Sequence, residues 1–244
     1  GVSLNNIGFV YDQMGQYDEA LNYYEQSIAI DREIGDQVGE EVSLNRVGGI
    51  YYELCKYEKA LGYYEQALTI AKKISDRKWE GTSLNNIGVV YKSLGEYKTA
   101  LDYCQQALTI AQEIGDRARE GSSLGNIGLI YSQLGEYEKA LDYYEQALTI
   151  HRKNGDRTEE GRILNKIGVV YNNRGEYKTA LDYYQQALNI RCEIGDRAGE
   201  GFSLENIGVV YYKLGKYEEA LDYYQQALTI HRKNGDRTEE GRIL

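Results

Sequence analysis

The chain repeats itself. The pattern L-x-x-I-G-x-x-Y-x-x-x-G-x-Y-x-x-A-L-x-Y-Y-x-Q-A returns every 40 residues from Gly1 to Glu240, and Ser123–Ala147 is a clean copy. Leu4, Leu44, Leu84, Leu124, Leu164 and Leu204 share one column, and Gly8, Gly48, Gly88, Gly128, Gly168 and Gly208 share another. A fixed period of this size leaves few folds open. Each unit buries its apolar face only against its neighbours, which gives a solenoid. The length of 244 residues would otherwise suggest one or two domains. The period instead predicts one array of six units, at 1–40, 41–80, 81–120, 121–160, 161–200 and 201–240. Residues 241–244 would begin a seventh, a stub running roughly from Arg237 to Leu244, as in a segment of a longer protein.

Within one unit the apolar residues fall on helical spacing. At about 100° per residue, Leu4, Ile7, Gly8, Val10, Tyr11 and Met14 share one half of a helix over 2–14. Gly15 is a natural stop. A second amphipathic helix spans Tyr17–Ile34, with Tyr17, Ala20, Leu21, Tyr23, Tyr24, Ile28, Ile30 and Ile34 on its inner side. Gly35 ends it, Asp36 is a good N-cap for the next helix, and Glu40 lies close to that helix's first turn, where the dipole favours an acid. The absence of proline suits long uninterrupted helices. Small residues at Gly8, at Ala20 and in the column Ser27, Ala67, Ala107, Ala147, Ala187, Ala227 mark close helix approach. The fold class expected is all-α, a right-handed superhelix of stacked antiparallel helix pairs. Cys55 and Ser75 replace turn glycines. Gln146–Leu164 and Gln226–Leu244 are identical over 19 positions, which points to duplication of a two-repeat block.

Composition excludes several functions. A net charge of −10 argues against a surface that tracks nucleic-acid phosphates. No apolar run reaches membrane-spanning length, and there is no signal-peptide pattern. Cys55, Cys104 and Cys192 occupy three different columns without ligand spacing, so they read as reduced thiols of a cytoplasmic protein, with no metal and no cofactor. Of 25 tyrosines, all but Tyr52 and Tyr212 fall in four repeat columns, expected to be core columns. His151 and His231 share a column beside the buried side of the second helix and have no metal-ligand partners in sequence. No catalytic constellation or phosphate-binding loop is present, so the chain reads as no enzyme.

The spacing of Leu4, Ile7, Gly8, Tyr11, Ala20 and Tyr24, with the small-residue column at Ser27 and Ala67, resembles the tetratricopeptide repeat over the whole chain. The period is 40 rather than 34, and Gly-Asp-Arg turns such as Gly115-Asp116-Arg117 stand where a closing proline is usual. This resembles the long-repeat subclass of Pins/LGN-type adaptors, kinesin light chains and prokaryotic arrays attached to signalling proteins. The resemblance implies that the first helices line a concave ligand groove.

The residues point the same way. On the side of the first helix opposite the core, the ninth column reads Phe9, Gly49, Val89, Leu129, Val169, Val209, an apolar strip where a helix facing only water would be polar. Amides flank it: Asn5, Asn6, Asn45, Asn85, Asn86, Asn126, Asn165 and Asn206. Each offers both a donor and an acceptor, suited to a peptide backbone. The cations Arg46, Lys92, Arg162, Lys166 and Lys213 outnumber the acids Asp12, Glu53 and Glu205 in these columns, which points to an acidic or mixed-charge peptide. The expected function is a scaffold binding a peptide or helix of a partner protein. A self-assembling module stacking head to tail, since neither end has a polar cap, and a regulatory sensor segment of a larger signalling protein are the alternatives.

Overall fold

The computed structural model describes residues 1–234. Among them it holds twelve helices and no strand, paired as α1 (Val2–Gln13) and α2 (Tyr17–Ile34), α3 (Gln37–Glu53) and α4 (Tyr57–Ile74), and α5 (Arg77–Ser93) and α6 (Tyr97–Glu113). The remaining pairs are α7 (Arg117–Gln133) and α8 (Tyr137–Asn154), α9 (Arg157–Asn173) and α10 (Tyr177–Ile194), and α11 (Arg197–Lys213) and α12 (Tyr217–Asn234). The second helices and the ends of the first helices agree with the repeat pattern to within a residue, but the first helices from α3 on start directly after the capping aspartate, at Gln37 and its counterparts, four residues before the repeat boundaries at 41, 81, 121, 161 and 201. The stub expected at Arg237–Leu244 lies outside the described residues.

The chain divides into two compact units, one comprising Gly1–Asn126 and the other beginning at Ile127. In the first, each helix from α1 to α6 packs on the next, and α1 also touches α3. In the second, α8 to α12 pack in the same serial way, and α9 touches α11. Each unit is thus a stack of helix hairpins, and the fold class is the α-solenoid.

Local chemistry explains the punctuation. Gly15, Gly35, Gly95, Gly135 and the other turn glycines take φ between 69° and 80°, the left-handed cap that L side chains resist. Cys55 (φ 55°) and Ser75 (φ 58°) adopt the same conformation with a Cβ present. The aspartate that follows each inter-hairpin turn caps the next helix. Asp36, Asp76, Asp116, Asp156 and Asp196 each accept a hydrogen bond from the backbone N–H three residues on, at 2.9–3.1 Å.

Salt bridges then tie hairpin to hairpin. Arg32 reaches Glu40 at 2.6 Å, and Arg152 reaches Glu160 at 2.8 Å. Within the α9–α10 hairpin, Glu160 also holds Arg157 at 2.5 Å, and Arg157 reaches Glu193 at 2.5 Å. Burial pushes the Glu160 carboxyl up, but the two guanidiniums outweigh it and hold it below the usual carboxylate range.

The core is built on glycine and alanine facing tyrosine. Ala20, Ala60, Ala67, Ala100, Ala140, Ala147, Ala180 and Ala187 are fully buried. Tyr24 and Tyr184 are buried over Gly8 and Gly168. The expectation that all four tyrosine columns are core is corrected. Only the column of Tyr24, Tyr64, Tyr144 and Tyr184 is buried, and Tyr224 is half-buried. The columns of Tyr11 and Tyr23 are half-buried and form stacked pairs, as at Tyr11–Tyr23 (5.4 Å) and Tyr171–Tyr183 (5.4 Å). These rings close the end of each hairpin, where a phenol buries its ring and keeps its hydroxyl wet.

Candidate functional site

The first helix of each hairpin carries the expected site residues. In the first unit, Phe9 is 39% exposed. The guanidinium of Arg46 lies over its ring at 4.3 Å, a cation–π contact. Val89 is half-buried and Asn6 is exposed, while Asn86 and Lys92 are half-buried. In the second unit, Leu129, Val169 and Val209 are half-buried and Lys213 is exposed. The ninth column therefore neither sinks into the core nor stands clear of it. It offers the outer flank of each side chain.

The amide column behaves differently from the expected open row. Asn5 Nδ2 donates to Ser43 Oγ at 2.6 Å, and Ser83 Oγ donates to Asn45 Oδ1 at 3.2 Å. Asn126 Nδ2 donates to Asn85 Oδ1 at 3.0 Å, and Asn206 Nδ2 to Asn165 Oδ1 at 3.1 Å. These bonds join equivalent helices of successive hairpins within each unit. Asn45 needs a correction: it is buried, and its Nδ2 also donates to Glu41 O at 3.3 Å. It is a tie between helices rather than part of an open surface. Asn85, Asn126, Asn165 and Asn206 remain half-buried, and each bond uses only part of an amide's capacity. The serines at Ser43 and Ser83, beside the amide column, were the sequence signal for this ladder.

The cations are likewise engaged. Lys213 Nζ donates to Asn172 Oδ1 at 3.0 Å, and Arg162 pairs with Glu159 at 2.7 Å. Lys166 is half-buried and has a polar or charged neighbour of its own. Burial raises the Asp12 carboxyl, and the charge of Arg46 partly opposes that rise.

Other chemistry-bearing groups do not converge. Among the described residues no three His, Cys, Asp or Glu side chains could hold a metal ion. His151 and His231 are buried. The cysteines are unpaired; Cys55 and Cys192 are exposed, and burial pushes the Cys104 thiol up to about 12. No described helix is long and apolar enough to cross a membrane.

Comparison with known proteins places these features in a family. The tetratricopeptide repeat model matches residues 1–73, 79–153 and 159–233. No curated protein matches in sequence. Among solved structures the chain is similar to BtubC from P. vanneervenii, at 20% identity over 88% of this chain and 91% of that one, with a TM-score of 0.76. It is similar to the Rap conjugation gene regulator of plasmid pLS20, solved in complex with a Phr peptide, at 20% identity over 87% of this chain and 59% of that one, TM-score 0.72. A third is a Signal Transduction ATPase with Numerous Domains protein with a tetratricopeptide repeat sensor from Pyrococcus horikoshii. It is 22% identical over 98% of this chain and 40% of that one, TM-score 0.75. At these identities the likeness is one of fold. With three matches of the repeat model spanning nearly all of the described residues, the chain belongs to the tetratricopeptide repeat family.

Proposed function

We propose that the chain is a protein-interaction scaffold and that its first helices hold a peptide or helical segment of a partner protein. The observation that carries the reading is the half-exposed apolar column at Phe9, Val89, Val169 and Val209, flanked by amides with unused bonding capacity. Apolar side chains ranged along the first helices of each unit mark interaction sites more often than chance exposure does. The Rap regulator solved with a peptide supports the same reading by analogy of fold. The finer part of the proposal is a ligand with acidic residues, read by Lys92 and the neighbouring cations. A cytoplasmic, reducing setting suits the exposed, unpaired Cys55 and Cys192.

The test is selection of binders from a displayed random-peptide library, followed by titration of the best peptide. Val89→Asp and Val209→Asp are each expected to weaken binding at least about tenfold, since a charge placed against an apolar contact costs on the order of 1.4 kcal/mol or more. Undiminished binding by both variants overturns the proposal. Exchanging the peptide's acidic residues for basic ones tests the charge preference.

A further inference from the structure

Where one hairpin meets the next, three repeat columns share one space. The first is the residue that opens a unit, such as Glu41, Gly81, Gly161 or Gly201. The second lies late in the second helix, at Ala71, Ala111, Arg191 and His231. The third is in the next helix's first turn, at Trp79, Arg119 and Gly199.

Their sizes compensate. In the second unit Arg191 fills the space: it is buried, its Nη1 donates to Gly199 O at 2.5 Å and to Ser203 Oγ at 2.9 Å, and a Cβ on Gly199 would fall 2.7 Å from its Cδ. His231 does the same against Gly201, where a Cβ would fall 2.6 Å from Nε2. In the first unit the roles invert. Ala71 is small, and Glu41 is long and fully buried.

At the third hairpin both partners are small, Gly81 and Ala111, and Arg119 is turned aside. Its Nη1 pairs with Asp116 at 2.5 Å, and its Nε donates to Thr82 Oγ1 at 2.9 Å. A cavity of ≈ 360 Å³ results. Ala107, Ile110, Ala111 and Ile114 supply its apolar walls, while Thr82, Asn85 and Ser122 line it with polar groups from the face that carries the candidate site. A second cavity, of ≈ 320 Å³ at the first junction, is of different character, because the buried carboxylate of Asp31 lies in its wall.

We propose that the cavity at Gly81 and Ala111 is a side-chain socket for a tryptophan or tyrosine of a peptide lying along the first helices. This rests on the scaffold reading above. The volume falls within the range of small-molecule sites. The apolar walls match an aromatic ring, and the hydroxyls and amide at the polar side accept its N–H or O–H. The guanidinium of Arg119 lines the same space and supplies a cation for a ring held there.

The experiment titrates the ¹⁵N-labelled full chain with N-acetyl-tryptophanamide. Shifts are expected at the amides of Gly81, Thr82 and Ser122, saturating with a Kd on the order of 1 mM. N-acetyl-leucinamide is expected to bind more weakly. Ala111→His and Gly81→Gln fill the socket with side chains like those of His231 and Glu41, and each is expected to abolish the shifts without lowering helicity. Absent shifts in the unaltered chain, or shifts that survive both substitutions, overturn the socket. Equal binding of the leucine compound overturns its aromatic assignment. The library-selected peptide separates the two readings. Loss of its affinity in Val89→Asp but not in Ala111→His leaves the groove standing and removes the socket. Undiminished affinity in both Val89→Asp and Val209→Asp removes the groove itself.

Discussion

Gly168 lies directly beneath the ring of Tyr184, so close that a Cβ on the glycine would stand 2.6 Å from Cε1 of the tyrosine. The same contact recurs between Gly48 and Tyr64 and between Gly208 and Tyr224, at 2.7 Å in each. The glycine column therefore sets how near the two helices of a hairpin come, and the tyrosine column fills the gap so created.

Gly168→Ala is expected to lower stability by about 1 kcal/mol, despite alanine's better helix propensity. Tyr184 is fully buried and cannot swing away, so the overpacking cost of roughly 1–3 kcal/mol exceeds the propensity gain of about 1 kcal/mol. Urea melts followed by circular dichroism check it. A neutral or stabilising result would mean the hairpin is loosely packed.

Glu41 is fully buried, and its desolvation, with the charge of Asp76 nearby, raises its carboxyl from 4.5 to about 8. A carboxyl raised on folding binds its proton more tightly in the native state. Its contribution is thus present at low pH and is lost as pH climbs from about 4.5 to about 8. Stability should fall over that window by at most about 1.4 kcal/mol per pH unit. Glu41→Gln should flatten the slope and raise the melting midpoint at pH 9 while changing little at pH 5. Parallel slopes for the two proteins would refute this.

Cys55 and Ser75 hold the left-handed backbone that the other turns give to glycine. Cys55→Gly and Ser75→Gly should each stabilise the chain by about 1 kcal/mol, the cost of a Cβ in that conformation less the extra freedom of glycine when unfolded. The two sites are in different turns, so the gains should add. Thermal melts of the single and double variants test both statements.

Asn126 and Asn86 occupy the same repeat column and should answer differently to alanine. Asn126 donates to Asn85, and its loss should cost about 1 kcal/mol. Asn86→Ala should leave stability within about 0.5 kcal/mol. If peptide binding falls in Asn86→Ala while stability does not, that amide faces a ligand; equal stability losses would refute the distinction.

The sequence by itself determined every local feature of this protein. The helix bounds at Tyr17–Ile34 and its counterparts, the aspartate caps and the glycine stops all depend on residues a few positions apart, and their chemistry is the same wherever the chain goes. The apolar ninth column was equally legible, because it breaks the helical polarity pattern within a single helix.

What only the tertiary structure decided involves residues some 12 to 41 positions apart, on different helices. Asn45 reads in sequence like its equivalents, yet it is buried, because Ser83 of the next hairpin reaches its carboxamide. Tyr23 and Tyr24 are neighbours in sequence, but one stacks at the hairpin's end and the other fills its core. The cavity beside Gly81 exists because two columns on different helices are small at the same junction. No helix carries that information alone, since burial is a property of the stacked neighbour as much as of the residue itself.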